Sequence, residues 1–178
     1  MPLSHPFEKI PAGRIRYYAI PLVGITVAIL AMFPWIIPDR DTQTLLDLVG
    51  AGSAERAAAV LSHWSVADRV RAAFGVGIDF LLNPAYATAA ALGCIWASRS
   101  LGAHRLSLLG VPAAWVVSAT IVTNLFENVA LFRMLLDDFS GPWPAIASGA
   151  HIYAGVALFG VGLPYLLLGV YARWRAER

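Results

Sequence analysis

The chain has 178 residues, of which 58% are hydrophobic and 13% are charged, and its mean hydropathy is +0.66. Soluble domains carry about 25% charged residues, so this composition excludes an ordinary soluble domain and indicates a membrane protein. The net charge of +2 is too small to indicate nucleic-acid binding. The single cysteine, Cys94, excludes a disulfide within one chain and a cysteine-rich metal motif. We expect one membrane domain covering residues 1–178.

The first apolar stretch covers about residues 17–37 and follows the basic residues Lys9, Arg14 and Arg16. A signal peptide would show a similar charged start. However, its apolar core has only about 7–15 residues and is followed by a cleavage site of the Ala-x-Ala kind, which is missing here. We therefore expect a signal-anchor helix that stays in the protein.

Three more apolar stretches follow, at about residues 72–97, 106–136 and 145–172. Each of the four has roughly 20 residues or more, which at about 1.5 Å per residue is enough to cross a hydrocarbon core of about 30 Å. The sequence therefore predicts an all-α, polytopic membrane protein whose four transmembrane helices form a bundle surrounded by the lipid bilayer.

The first loop, about residues 38–71, carries two short apolar faces, one at residues 45–49 and one at residues 57–64. We expect two short amphipathic helices that lie on the outer membrane surface or cap the bundle. The sequence leaves open whether such a cap is only structural or is a lid over a site. Ser65, with Asp68 three residues later, is typical of the N-cap of a helix that continues into the second span.

The basic residues near the spans predict the orientation. Eight of the thirteen lie in the N-terminal segment, in the loop at residues 98–105 and in the C-terminal tail. Cytoplasmic loops are enriched in lysine and arginine, so we expect both termini in the cytoplasm and a bacterial-type inner membrane location. The first loop mixes both signs of charge and fits this rule least well.

Polar side chains lie inside three of the spans, where hydrocarbon is expected. The candidates for a ligand or proton site are Asp79, Asn83, Tyr86, Asn124, Glu127, Asn128 and His151. Polar residues in a bilayer turn towards the bundle interior, so the three faces that carry them should meet. Counted along their helices, Asp79, Glu127 and His151 fall about 9–12 Å below the outer boundary. This shared depth predicts a single polar cluster.

Three interpretations of this cluster remain open. The side chains could hold the bundle together through interhelical hydrogen bonds. They could instead form a proton or small-ligand site, in which two close carboxyl groups share a proton beside a histidine. A metal site has thin support, because one histidine is too few for the carboxylate-bridged bundles. The sequence identifies no cofactor, no catalytic residue and no reaction.

Small residues recur along two spans. Gly155, Gly162 and Gly169 repeat every seven residues in the fourth, and a set in the second repeats every four: Ala85, Ala89 and Gly93. Such stripes let helix backbones approach closely. We assign the fourth-span stripe to the bundle interior, beside His151. The second-span stripe is the better candidate for contact with another membrane-protein subunit or a second copy.

The sequence is therefore compatible with two hypotheses about function, which belong to different classes. The protein binds a small or lipid-like ligand, or relays protons, through Asp79, Glu127 and His151. Alternatively, it is a non-catalytic accessory subunit of a larger membrane complex, such as an energy-transducing one. A cavity that reaches the two carboxyl groups would favour the first, and a dry, fully paired cluster with a broad apolar partner surface the second.

Overall fold

A computed structural model of the protein describes residues 3–36, 45–102 and 105–178, which are helical and contain no strand. The main helices are α1 (Ile15–Ile36), α2 (Ala54–Leu61), α3 (Val66–Leu101), α4 (Gly110–Leu135) and α5 (Trp143–Ala176). All but α2 are long and apolar enough to cross a membrane. The predicted all-α fold with four such helices is therefore confirmed for the described residues.

The central helix is α3, which packs against α1, α4 and α5. It begins six residues before the predicted span because Ser65 and Asp68 cap it reciprocally. The Asp68 N–H donates to Ser65 Oγ (3.3 Å), and the Ser65 N–H donates to Asp68 Oδ2 (2.8 Å). Pro84 lies inside α3 and has no N–H for the Phe80 carbonyl four residues earlier, yet the helix continues to Leu101.

The first helix is peripheral. Its main contacts are with α3, and apart from Ile15 its described side chains are exposed or only half-buried. The exposed side chains include Tyr17, Ile20, Val23 and Val27. The buried core is therefore made by α3, α4 and α5, with α1 added on one side.

Residues 45–49 are helical and, together with α2, cover one end of the bundle, which we call the outer end. Leu48 and Leu61 are fully buried there and pack with Val76 of α3 and Met134 of α4. The two short segments thus cap the bundle rather than lie apart from it. The start of the predicted first loop, residues 38–44, and residue 37 at the end of the predicted first span lie outside the described residues.

Arg69 fastens this cap to the helices below it. Its guanidinium donates to the carboxylate of Asp137 (2.7 Å) and to the carbonyls of Leu61 (3.4 Å) and Leu135 (3.3 Å). These two carbonyls belong to the last residues of α2 and α4, beyond which no further helical turn supplies a donor, and the Leu61 carbonyl also accepts from the Trp64 N–H (3.1 Å). One side chain therefore joins α2, α3 and α4 at the outer end.

The opposite, inner end carries the N-terminal segment and the C-terminal part of α5. Arg99 of α3 donates to the carbonyls of Ile10 (2.7 Å) and Glu8 (2.8 Å). The Tyr165 hydroxyl donates to the Leu106 carbonyl (2.9 Å), in the 3-10 turn before α4. This turn, Arg105–Leu109, occupies the start of the predicted third span, so the α-helix there begins later, at Gly110.

The small residues divide differently from the prediction. A Cβ on Gly169 would lie 2.4 Å from the Ala97 Cβ, and one on Gly162 would lie 2.9 Å from Val117, so both glycines allow close helix packing. Gly155 has no atom within 4 Å of such a Cβ and lines a cavity instead.

The prediction that the α3 stripe faces an outside partner is wrong for most of its residues. Ala85 is buried within the chain, and Gly93 lies against Leu166 of α5, 3.1 Å from where its Cβ would stand. Ala89 is half-buried. The stripe therefore serves the bundle itself, because α3 is surrounded by the other helices.

Candidate functional site

The polar side chains of α3 and α4 meet through amide groups. The Asn124 Nδ2 donates to Asp79 Oδ2 (2.5 Å), and the Asn128 Nδ2 lies 3.2 Å from the same oxygen. Asn128 also donates to Asn124 Oδ1 (3.0 Å). The two asparagines are one turn apart on α4, so both reach the carboxyl group that α3 presents. Asp79 is thus held by two amides rather than by a cation.

The second carboxyl group, Glu127, belongs to α4 and is 7% exposed. His151 Nδ1 of α5 lies 3.3 Å from Glu127 Oε1, and the His151 side chain is 50% exposed. Asn124 interacts with Glu127 as well as with Asp79, and so links the two carboxyl groups. The site therefore draws its groups from three helices, as the periodicity of the sequence predicts.

Asn83 and Tyr86 form a separate pair beside this network. The Asn83 Nδ2 donates to the Tyr86 hydroxyl oxygen (2.5 Å), and Asn83 is fully buried. Its Oδ1 has no hydrogen-bond partner among the described residues. Because the Tyr86 oxygen accepts from Asn83, its own O–H remains able to donate to another group.

A cavity of about 300 Å³ lies against the network. The candidate residues that line it are Asp79, Tyr86, Asn124, Glu127, Asn128 and His151. Leu45, Leu46 and Val49 of the cap line its outer side, and Leu131, Leu158 and Phe159 add apolar wall. Within the part of the chain that the structure describes, no lysine or arginine lines it. Asn83 is not part of this lining, but its hydrogen bond to the Tyr86 hydroxyl oxygen helps to hold that side chain in the cavity wall.

The wall contributed by α5 departs from regular α-helix. Residues Val156–Gly162 form a π-helical segment between α-helical Trp143–Gly155 and Leu163–Ala176. Leu158 and Phe159 of this segment line the cavity, one turn after Gly155 and two turns after His151. Such π segments are frequent at functional sites, because they rotate the following residues relative to a regular helix.

Polar character does not continue through the bundle. The hydroxyls of Thr120 and Thr123 donate to carbonyls of their own helix, at Val117 (2.7 Å) and Thr120 (3.2 Å), and do not join the network. The inner half of the core is apolar over most of its described residues, including Leu92, Ile95, Ala114 and Val117. The network is therefore confined to the outer half of the bundle.

The arrangement offers a cavity occupant hydrogen-bond acceptors from the carboxyl groups and donors from the Tyr86 hydroxyl and the His151 ring. Within the described ranges, no three histidine, cysteine, aspartate or glutamate side chains lie close enough to hold a metal ion. Asp79 and Glu127 present carboxyl groups, and Tyr86 presents a hydroxyl. These groups can bind a molecule that carries a cation or hydrogen-bond donors.

Sequence reasoning named the polar lining but missed the apolar part. Leu45, Leu46 and Val49 fall within the predicted cap, whose role the sequence leaves open. Phe159 was not singled out. A π segment has no known signature in a single sequence, so periodicity at 100° per residue misplaces the residues after it.

Comparison with known protein families, characterised proteins and solved structures gave no match to this chain.

Proposed function

We propose that this chain is an integral membrane protein of four transmembrane helices that binds a small or lipid-like ligand through Asp79, Glu127 and His151. The cavity of about 300 Å³ against these side chains is the observation that carries the proposal. Its volume lies at the lower end of the range of small-molecule sites, about 300–1,000 Å³, and its mix of apolar walls with a few convergent polar groups is typical of them.

A purely structural cluster is less well supported by this geometry. Polar groups that only hold helices together need no space beside them, whereas here Tyr86, His151 and both carboxyl groups border the cavity. The cost of keeping ionisable groups at membrane depth also favours a functional role. His151, which is half-exposed, is available for contact with a molecule in this cavity.

Proton relay across the membrane has weaker support than ligand binding. A relay needs polar groups or water along its whole path. The described core between the network and the inner end is mainly apolar, including Leu92, Ile95 and Val117. Proton exchange between Asp79, Glu127 and a bound ligand remains compatible with the proposal.

The test is to identify what occupies the cavity of the native protein. The full chain is extracted directly into lipid nanodiscs and examined by native mass spectrometry and by density maps. We expect a bound molecule that contacts Asp79 or Glu127. Asp79→Asn keeps the shape of the side chain and should retain the fold while most of the bound molecule is lost.

The matched control is Asp138→Asn, an exchange of the same chemistry in the loop before α5, away from the cavity. It should leave the bound molecule in place. A cavity filled only by water in the native protein, or equal occupancy in Asp79→Asn and the parent protein, would overturn the ligand-binding proposal.

An accessory-subunit role has one observation in its favour, the apolar outward face of α1. Tyr17, Ile20, Val23 and Val27 are all exposed there, and a partner helix could cover them. Cross-linking in native membranes through cysteines at these positions, after Cys94→Ala, distinguishes the two functions. Cross-linking to the same partner protein at all four positions supports the accessory role. Recovery of no cross-linked protein at any of them opposes it.

A further inference from the structure

A second, apolar space adjoins the polar cavity. It has a volume of about 440 Å³ and lies between α1 and α5, which both pack on α3. Its walls come from all three helices: Thr26, Leu30, Leu82, Tyr86, Ala90, Leu158, Phe159, Gly162, Leu163 and Leu166. The Thr26 hydroxyl donates to the Leu22 carbonyl (2.8 Å), so it presents no unsatisfied group to this space. We call this space the lateral groove.

The groove and the cavity share three wall residues, Tyr86, Leu158 and Phe159. Tyr86 stands on α3, and the two others belong to the π segment of α5. Phe159 is 73% exposed and Leu163 is 46% exposed, so the groove opens sideways between α1 and α5. In a bilayer this opening would face lipid chains. The two spaces therefore adjoin along these three side chains, and a path from the hydrocarbon to the polar cavity would run past them.

The polar end of this path favours a positively charged group. Two carboxyl groups line the cavity, and none of the described residues in its lining is a lysine or an arginine. Both described hydrogen bonds to Asp79 end on Oδ2, which leaves Oδ1 for another donor. An uncompensated carboxylate in a low-dielectric site is costly, and an ammonium group bound beside it would remove that cost.

From this juxtaposition we infer that the site takes an amphiphile with a basic amine head and a single long apolar chain. The amine lies between Asp79 and Glu127, and the chain passes Tyr86 and Phe159 into the lateral groove. The inference rests on the proposed function and narrows it to one ligand class. It also gives the π segment a role, since that segment supplies wall to both spaces.

Three probes that differ only in their head group test the inference: hexadecylamine, hexadecanol and hexadecanoate, each with a photoreactive diazirine at mid-chain. The full chain in phosphatidylcholine nanodiscs is irradiated with each, and the modified residues are mapped by peptide mass spectrometry. We expect the amine to label the groove walls about tenfold more than the other two probes, because a carboxyl-lined cavity binds an ammonium group better than a hydroxyl or a carboxylate. A tenfold preference corresponds to about 1.4 kcal/mol. Asp79→Asn should reduce this preference.

Two variants test the groove itself. Ala90→Phe fills it from α3, and Leu30→Trp narrows it from α1 at an exposed position, where misfolding is not expected. Both should reduce labelling by the amine. Ala73→Phe is the matched control, because Ala73 lines a different apolar groove between α1 and α3 that shares no wall residue with the polar cavity. It should leave labelling unchanged.

The outcomes separate this inference from the function on which it rests. Equal labelling by the three probes, or full labelling by the amine in both groove variants, would overturn the inference that the site binds a long-chain amine. If butylamine then competes as well as hexadecylamine and depends on Asp79, the site binds small amines and the proposed function stands. If no amine binds and the native cavity holds only water, both fail.

Discussion

At the scale of single residues, amides rather than acids hold the network together. Asn124 is the key residue, because it donates to Asp79, accepts from Asn128 and interacts with Glu127. A carboxyl group buried in a low-dielectric core needs such donors, and asparagine supplies them without adding a charge.

Replacing Asn124 by leucine should destabilise the protein. The substitution keeps the branching and the number of side-chain heavy atoms but removes the donor to Asp79 and the acceptor for Asn128. Leaving such buried groups unpaired costs about 1–3 kcal/mol. Equilibrium unfolding in detergent measures the effect, and Val122→Leu, at an exposed position on the same helix, is the control. Equal stability of both variants would show that water replaces the lost amide.

His5 shows a second buried polar arrangement, at the inner end. The Phe7 N–H donates to His5 Nδ1 (3.2 Å), so Nε2 carries the proton and can donate to Ser118 Oγ, also at 3.2 Å. The ring packs edge-on against Phe7 and Trp115, with centroids 4.7 Å apart in both pairs. Protonation of Nδ1 would remove the acceptor that caps the first turn of the N-terminal segment.

This geometry predicts a pH dependence. Burial lowers the pKa of His5 below its ordinary value of 6.5, and the nearby Glu8 carboxylate opposes this only partly. Above pH 6.5 the ring is neutral in both the docked and the undocked segment, so its stabilisation is fully present. As the pH falls below 6.5 and through the lowered pKa, the undocked segment takes up the proton first and docking weakens.

Tryptophan fluorescence against pH measures this change, with Trp115 as the reporter. His5→Asn retains a side-chain acceptor for the cap but does not titrate, so it should flatten the curve between pH 6.5 and lower values. His63→Asn, at an exposed position, should leave the curve unchanged. A transition that persists in His5→Asn would assign it to another group.

At the scale of elements, α5 is the helix whose local geometry matters most. Its N-terminal part presents His151 and Gly155 to the cavity, its π segment forms wall, and its C-terminal part packs closely on α3. Three glycines at equal sequence spacing therefore meet three different environments. Substituting each glycine should therefore change the free energy of unfolding where the glycine packs against a neighbouring helix, but not where it lines the cavity.

Alanine at these positions should have graded effects. A Cβ on Gly169 would lie 2.6 Å from the Ala97 Cα, so the backbones must separate, and one on Gly162 requires Val117 to shift. We expect each to cost about 1–3 kcal/mol, with Gly169→Ala the larger. Gly155→Ala meets no atom within 4 Å and should leave the free energy of unfolding unchanged or raise it. Destabilisation by all three alike would contradict this packing.

At the scale of the whole molecule, the two ends of the bundle differ in construction. The N-terminal segment lies at the inner end, where Arg99 donates to the Ile10 carbonyl. The C-terminal part of α5 lies at the same end, where Gly169 packs against Ala97, whereas the cap lies at the outer end. An even number of spans requires both termini on one side. The rule on basic residues predicts that this side is the cytoplasm.

Reporter fusions test this orientation. A fusion after Arg178 should be active as a cytoplasmic reporter, and a fusion in the first loop should be active as a periplasmic one. The loop at residues 98–105 provides a matched internal control, since it should report the same side as Arg178. A periplasm-active fusion after Arg178 would reverse the topology and place the cavity in the other half of the membrane.

The sequence by itself determined the features that follow from composition and helical period. Four apolar helices, the cap of α3 at Ser65 and the common face of Asp79, Asn124 and Glu127 all depend on local spacing, which a single sequence contains. It also indicated the cap, because the leucines of residues 45–49 and of α2 lie on apolar faces.

Only the tertiary structure decided how these elements are placed. It decided that α1 is peripheral, that Gly155 lines a cavity while Gly169 packs, and that the α3 stripe faces its own bundle. These facts depend on which helices are neighbours and on a π segment that rotates the following residues. Helix neighbours result from long-range packing of many side chains, and no local spacing in the chain encodes them.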